Sequence, residues 1–250
     1  MTFGLAAMVK TPGLSPVKTR LAATLGKNMA EKIYQHCLVC IEELLKGWGE
    51  QPSCVPYWAL AEKDAIKKEN FKFGNSLFRL LQEGEGLGAR MESIANQLFR
   101  KHEYICLIGA DSPQLDSSII NKAFTLLNRQ PHNSAQSVGG VSTQSAADLV
   151  LGPSADGGFY LLATQIKLDS PVWRDTVYST ENTLQNFVAL AQKYSPKLRI
   201  DISSLPVLSD LDTIEDVQNL LNQLQPPLTA PQLVLKESLL QILPNSTSTS

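Results

Sequence analysis

The chain has 250 residues, 43% of them hydrophobic, with a formal net charge of −2 and a pI near 6.0. That length supports one large α/β domain with a full core, and no Gly/Ser/Pro-rich linker divides its middle. The balanced charge excludes the basic footprint of a nucleic-acid binder, and no stretch approaches the roughly 20 apolar residues of a membrane span. The N-terminus lacks the basic-then-apolar order of a signal peptide, so the expected location is the cytoplasm.

Phe3 to Val9 is a short apolar run that reads as a first buried strand. It feeds a loop, Lys10 to Arg20, whose Pro12, Gly13 and Pro16 exclude regular structure. From about Asn28 to Lys46, apolar residues at 30, 33, 37, 38, 41, 44 and 45 follow the helical i, i+3, i+4 pattern. Cys37 and Cys40 fall inside it with no second Cys pair, and read as buried packing thiols rather than half of a zinc or redox motif. Val55 to Leu60 predicts a second strand, with Pro56 marking an edge or a start. Ser76 to Gln82 then leads into the Gly-rich Glu83 to Gly88, and a helix is expected from about Ala89 to Lys101.

The run from Ile105 predicts a strand that stops at Gly109-Ala110-Asp111-Ser112-Pro113, after which Asp116 or Ser117 can cap a helix through Ile119 to Leu127. Asn133 to Ala146, rich in Ser, Gln and Gly, reads as a surface loop or hairpin insertion. A strand before Gly152 and another from Gly158 to Thr164 follow, then a helix from Asn182 to Lys193 and a strand from Leu198 to Ile202. A helix from Thr213 to Leu224, with Asp212 as its cap, completes the series. The alternation predicts an α/β fold with a doubly wound, mostly parallel central sheet and helices on both faces. It is expected over residues 1–224; Pro226-Pro227 sets off an extension, 225–250, with a short helix from Pro231 to Leu243 and a disordered tail.

Two of these strands end in an aspartate among small residues, which delivers a carboxylate to the sheet rim where open α/β folds bind ligands. Asp111 suits a ligand for Mg²⁺ or Mn²⁺, with helix capping as the plainer reading. Asp156 precedes Gly157 and Gly158, which permit close backbone approach to a ligand or the positive φ of a tight turn. Lys10, Lys18 and Arg20 bracket the loop after the first strand, where backbone N–H groups and a helix start can cradle phosphate; a solvated basic turn is the alternative. The Gly-Lys-Ser/Thr ending of a Walker loop is missing.

Gln82 and Arg90 flank Gly84, Gly86 and Gly88. The spacing is wrong for a dinucleotide fingerprint and no strong strand precedes it, so the segment reads as a flexible loop over a ligand or an ordinary connection. Trp173 could stack on a sugar or base, Ser179 could touch substrate, and Thr180 reads as a cap for the next helix. Asp210-Leu211-Asp212 has the D-x-D form of a metal motif, yet Asp212 also starts an ordinary helix with an acidic first turn. His36, His102 and His132 share no metal spacing and no G-x-S-x-G elbow occurs, which argues against zinc and serine hydrolysis.

In chain order, Lys10-x-Pro12 with Val17-Lys18-Thr19-Arg20-Leu21, Gln82 to Met91, Gly109-Ala110-Asp111-Ser112-Pro113, Gly152-Pro153-x-x-Asp156-Gly157-Gly158-Phe159-Tyr160-Leu161, Trp173 with Ser179-Thr180, and Asp210-x-Asp212-Thr213 resemble one known family. It is the bacterial group labelled transferase 1, radical-SAM/selenodomain-associated, a branch of the nucleotide-diphospho-sugar transferase (GT-A type) fold. The likeness spans roughly residues 3 to 221. It implies that Lys10, Lys18 and Arg20 face phosphates, with Gln82 and Arg90 beside the nucleotide. It also implies that Asp111 ligates the metal, that Asp156 is a second ligand or the base facing the acceptor, and that Gly157, Gly158, Trp173 and Ser179 line the substrate. Ser15 stands where the family often has glycine, and Gly86 where it often has aspartate.

The expected function is a metal-dependent, glycosyltransferase-like enzyme that takes a nucleoside-diphosphate sugar with Mg²⁺ or Mn²⁺. Nucleotidyl transfer from a nucleoside triphosphate to a phosphorylated acceptor, and a non-catalytic nucleotide-binding regulator, are the alternatives. The expected partners are a nucleotide or nucleotide sugar and a small-molecule or lipid-linked acceptor, with no nucleic acid; the tail helix leaves a homo-oligomer open.

Overall fold

A computed structural model describes residues 1–67, 69–128 and 146–243. In chain order it contains β1 (Phe3–Val9), α1 (Thr19–Leu25), α2 (Lys27–Gly49), β2 (Cys54–Leu60), β3 (Phe78–Leu81), α3 (Gly86–Leu98), β4 (Tyr104–Gly109) and α4 (Ser117–Leu127). These are followed by β5 (Leu149–Pro153), β6 (Phe159–Thr164), α5 (Ser170–Arg174), α6 (Thr183–Tyr194), β7 (Ile200–Asp201), α7 (Ile214–Gln223) and α8 (Ala230–Leu240). The expected insertion from Asn133 lies outside the described residues apart from Ala146, and so does the tail from 244 onward.

The strands form one seven-stranded sheet in the order β3-β2-β1-β4-β6-β5-β7. Only β6 runs against the rest, pairing antiparallel with β4 and with β5, while the other pairings are parallel. The loops after β1, β3, β4, β5 and β7 therefore all emerge at one rim. The order reverses between β1 and β4, the switch point at which such sheets open a crevice.

Alternation builds the core. Leu5, Ala7 and Val9 of β1 join α2 and α4 through Leu38, Leu45, Ile120 and Phe124 on one face. Ala6 faces the other side, with Ile94 and Leu98 of α3, Trp173 of α5 and Phe187 of α6. Both faces of the sheet are thus covered, as near-continuous apolar strands require. Pro56 sits in register with Leu5 of β1, one residue before β3 begins to pair, so its missing N–H costs no ladder bond on that side. A third cluster joins Leu21 of α1, Ile33 and Cys37 of α2, Val217 and Leu220 of α7, and Leu235 and Leu239 of α8. Burial raises the Cys37 and Cys40 thiols above their ordinary range, as expected of packing cysteines.

Three short-range readings needed correction. A helix that the two prolines and the glycine concealed, α1, begins at Thr19. The helix expected from Ala89 starts three residues earlier, so Gly86 and Gly88 belong to α3 rather than to a loop. A short strand, β3, does precede the glycines, at the edge of the sheet. Asp116 caps α4 as anticipated, its Oδ1 accepting from the N–H groups of Ser118 at 2.8 Å and Ile119 at 3.1 Å. Among the described residues, no helix is long and apolar enough to cross a membrane.

Candidate active site

The rim loops enclose a cleft of about 650 Å³. Lys10, Lys18 and Arg20 reach it from the loop after β1 and the start of α1, and Gln82 and Arg90 from the end of β3 and from α3. Asp111 enters after β4, Asp156 and Gly158 from the β5–β6 turn, Ser179 from the approach to α6, and Asp210 and Asp212 from the segment between β7 and α7.

At its floor lies an ammonium between two carboxylates. Lys18 Nζ is 2.8 Å from Asp111 Oδ1 and 2.9 Å from Asp212 Oδ1, and 5.8 Å above the centre of the Tyr34 ring. The Lys18 side chain is 3% exposed, whereas both carboxylates are 43% exposed and line the cleft. Lys18 adopts φ 48°, ψ 46° at the start of α1, a left-handed conformation that costs a non-glycine residue about 1–2 kcal/mol. Burial works against its charge, but Asp111 and then Asp212 outweigh that and hold its pKa above the ordinary lysine value. Lys18 therefore serves as an internal counter-ion rather than presenting an open ammonium to phosphate.

Asp210 sits behind this pair, accepting from Ser112 Oγ at 2.7 Å. Burial, followed by the negative charge of Asp111, pushes its carboxyl up to about 7. The D-x-D spelling was its signal, because the alternate residues Asp210 and Asp212 both reach the cleft while Leu211 between them is buried. Asp212 is not the helix cap: Thr213 takes that position, and Asp216 reaches back to accept from the Thr213 N–H at 2.7 Å. With the helix start satisfied by its neighbours, the Asp212 carboxylate is released to Lys18.

Other expectations meet different packing. Trp173 is 2% exposed and meets the Phe187 ring edge-on at 5.6 Å, so it cannot stack on a ligand; α5 presses it into the core beneath α6. Gly157 does not line the cleft, and a Cβ there would collide with the Glu181 carbonyl oxygen, so its absent side chain and φ of 89° serve the approach of the loop before α6. Gly88 likewise admits the Trp173 carbonyl, joining α3 to α5. The Gln82 amide donates to Ala59 O at 2.7 Å and Val9 O at 3.3 Å, which ties the ends of β2 and β1 together and commits both N–H donors to backbone. Thr180 is not the α6 cap; its own N–H donates to Thr183 Oγ1 at 3.1 Å, and Asn182 stands at the cap position.

Asp156 combines both of its readings. Its Oδ1 accepts from Ser154 Oγ at 2.5 Å and from the Gly158 N–H at 2.9 Å, an aspartate turn that leaves the exposed carboxylate on the cleft wall. Arg90 Nε donates to Gly84 O at 3.4 Å, while Lys10, Arg20 and Ser179 are exposed along the mouth. Among the described residues no three His, Cys, Asp or Glu side chains surround a common point as metal ligands. The Asp111–Asp212 pair nevertheless holds a cation, the Lys18 ammonium, and its hard oxygen donors suit Mg²⁺ or Mn²⁺.

Residues 45–180 match a family model described as an uncharacterized protein conserved in bacteria, DUF2064. No curated protein matches the chain. Among solved structures, a protein of Desulfovibrio desulfuricans G20, provisionally named a nucleotide-diphospho-sugar transferase, aligns over 96% of this chain and 98% of its own at 22% identity and a TM-score of 0.76. Glucosyl-3-phosphoglycerate synthase of Mycobacterium tuberculosis, solved with Mn²⁺, uridine diphosphate and phosphoglyceric acid, aligns over 98% of this chain and 80% of its own at 8% identity and a TM-score of 0.50. At such identities the likeness is one of fold, that of the nucleotide-diphospho-sugar transferases.

Proposed function

Because the chain belongs to the DUF2064 family and carries this fold, we propose that it is a metal-dependent, glycosyltransferase-like enzyme with a nucleoside-diphosphate sugar as donor, of the radical-SAM/selenodomain-associated branch. The supporting observation is the Asp111–Lys18–Asp212 arrangement at the same rim as Lys10, Arg20 and Arg90. Lys10, Arg20 and Arg90 bind the diphosphate, and their positive charge favours its departure. Asp111 and Asp212 are the residues to hold Mg²⁺ or Mn²⁺, which when bound neutralises negative charge on the leaving diphosphate. The acceptor oxygen bonds to the anomeric carbon of the donor as the bond from that carbon to the diphosphate oxygen breaks. Asp156, whose Oδ1 is engaged by Ser154 and Gly158, receives the hydroxyl proton on its other oxygen, and nucleoside diphosphate leaves.

A thermal-shift screen of nucleotides and nucleotide sugars, with and without Mn²⁺, tests this reading. A nucleotide sugar should stabilise the protein selectively, more so with Mn²⁺, and Asp111→Ala should abolish the metal-dependent part. Stabilisation unchanged in Asp111→Ala would remove the metal role. Pyrophosphate release from a nucleoside triphosphate would replace glycosyl by nucleotidyl transfer.

A further inference from the structure

Resting on that glycosyl-transfer reading, we infer that the acceptor is a hydroxyl compound without phosphate, a sugar or related polyol with or without an amino group. The distribution of charge along the rim carries this. The sheet order sets β3, β2 and β1 on one side of the switch point, and β4, β6, β5 and β7 on the other. The open cations of the cleft, Lys10, Arg20 and Arg90, all follow strands of the first group, and Arg90 is turned back toward Gly84 on that side. The second group contributes Asp111, Asp156, Asp210 and Asp212.

Among the described residues lining the cleft, no Lys or Arg follows a strand of this second group. Its other polar groups there are hydroxyls, those of Ser154, Ser179 and Thr183 among them. The one cation that crosses to it, Lys18, is enclosed by Asp111 and Asp212. A divalent cation on that pair, added to the Lys18 ammonium, would exceed its charge by about one and serve the donor diphosphate. It would leave Asp156 held by two uncharged donors, Ser154 Oγ and the Gly158 N–H.

A phosphate dianion placed beside Asp156 would meet like charge with no Lys or Arg of this wall to offset it. Hydroxyl and ammonium donors instead match carboxylate acceptors. The diphosphate of the donor is accommodated by Lys10, Arg20 and Arg90 and by the cation on Asp111 and Asp212, so the cleft separates an anionic ligand from a hydrogen-bond-donating one beside Asp156.

The test offers both kinds of acceptor at once. Full-length protein with Mn²⁺ is incubated with an equimolar mixture of UDP-, GDP-, ADP- and CDP-glucose. Glycerol, glucose and glucosamine are present together with glycerol 3-phosphate, glucose 6-phosphate and glucosamine 6-phosphate, and hexose adducts are counted by mass spectrometry. Adducts should form on the unphosphorylated members in about tenfold or greater excess over their phosphorylated counterparts. A preference for the phosphorylated members overturns the inference, and so does the absence of adducts on every unphosphorylated one. Selective stabilisation by a nucleotide sugar together with transfer to the phosphorylated compounds would sink this inference and leave the transferase reading standing.

Discussion

Burying an ammonium is unfavourable by several kcal/mol unless opposite charge meets it, and Lys18 meets two carboxylates within 2.9 Å. Both carboxylates keep solvent contact, so screening reduces the value of the group to about 1–2 kcal/mol, below the 3–5 typical of a fully buried pair. Lys18→Met should therefore lower stability in urea by about 1–2 kcal/mol. Asp212→Asn alone should cost less, because Asp111 still holds the ammonium. The two losses should not add in the doubly substituted chain; additive losses would show that the groups do not interact. Asp111 was legible because an acid after an apolar strand and before Ser-Pro has few structural uses. Asp212 was not, because Asp-Thr-Ile-Glu spells a helix start equally well, and only the reach of Asp216 back to Thr213 decides which residue caps. The burial of Trp173 was hidden for another reason: its partner Phe187 lies fourteen positions away on α6, a contact that local spacing cannot reveal.

The weakest link of the sheet to the site is its shortest strand. Two residues of β7 pair with Leu149 and Val150 of β5, and the chain then runs on to Asp210 and Asp212. Beside this pairing, Asp148 accepts from Arg199 Nη2 at 2.6 Å, Arg199 Nε at 3.0 Å and the Arg199 N–H at 3.0 Å. The hydrogen bonds from the Arg199 side chain hold the Asp148 carboxyl below its ordinary value of 3.8, against the opposing effect of partial burial. A depressed folded pKa stabilises above the unfolded value and loses that contribution as pH falls through the folded one. Asp148→Asn should thus have a lower urea midpoint than the parent protein at pH 7, and the difference should shrink to nothing as pH drops below the carboxylate range. A deficit that persists unchanged in acid would mean that the charge is not what secures β7. Element order and the long helices were readable from periodicity, as with α2, whose apolar positions repeat over its whole length. The short helices α1 and α5 were missed, and β7 pairs over two residues of the five expected, because a single turn or bridge has no period to detect and is fixed by what packs on it.

At the scale of the whole molecule, the segment after Pro226-Pro227 is tied to the wall of the cleft. Leu235 and Leu239 of α8 are fully buried with Leu21, Ile33 and Leu220, the first of which belongs to the helix that Lys18 opens. Gln232 Nε2 donates to Pro113 O at 3.0 Å, two residues past Asp111, and Lys236 Nζ donates to Leu224 O at 2.8 Å. Removing Gln232 would leave the buried Pro113 carbonyl without this donor, a loss of about 1–3 kcal/mol. Gln232→Ala should lower the urea stability of the full chain by that amount. It should also weaken whatever metal-dependent stabilisation the wild type shows, because the Asp111 loop loses a fixed point. Ending the chain at Leu224 should do more, since it uncovers the apolar face shared by α1, α2 and α7. Melting curves with and without Mn²⁺ separate the two contributions. A truncated chain that melts like the full one would show that α8 is dispensable to the fold. Normal metal-dependent stabilisation in Gln232→Ala would show that the Asp111 loop is held well enough without that bond, by Ser112 on Asp210 and the Leu211 N–H on Asp111 O.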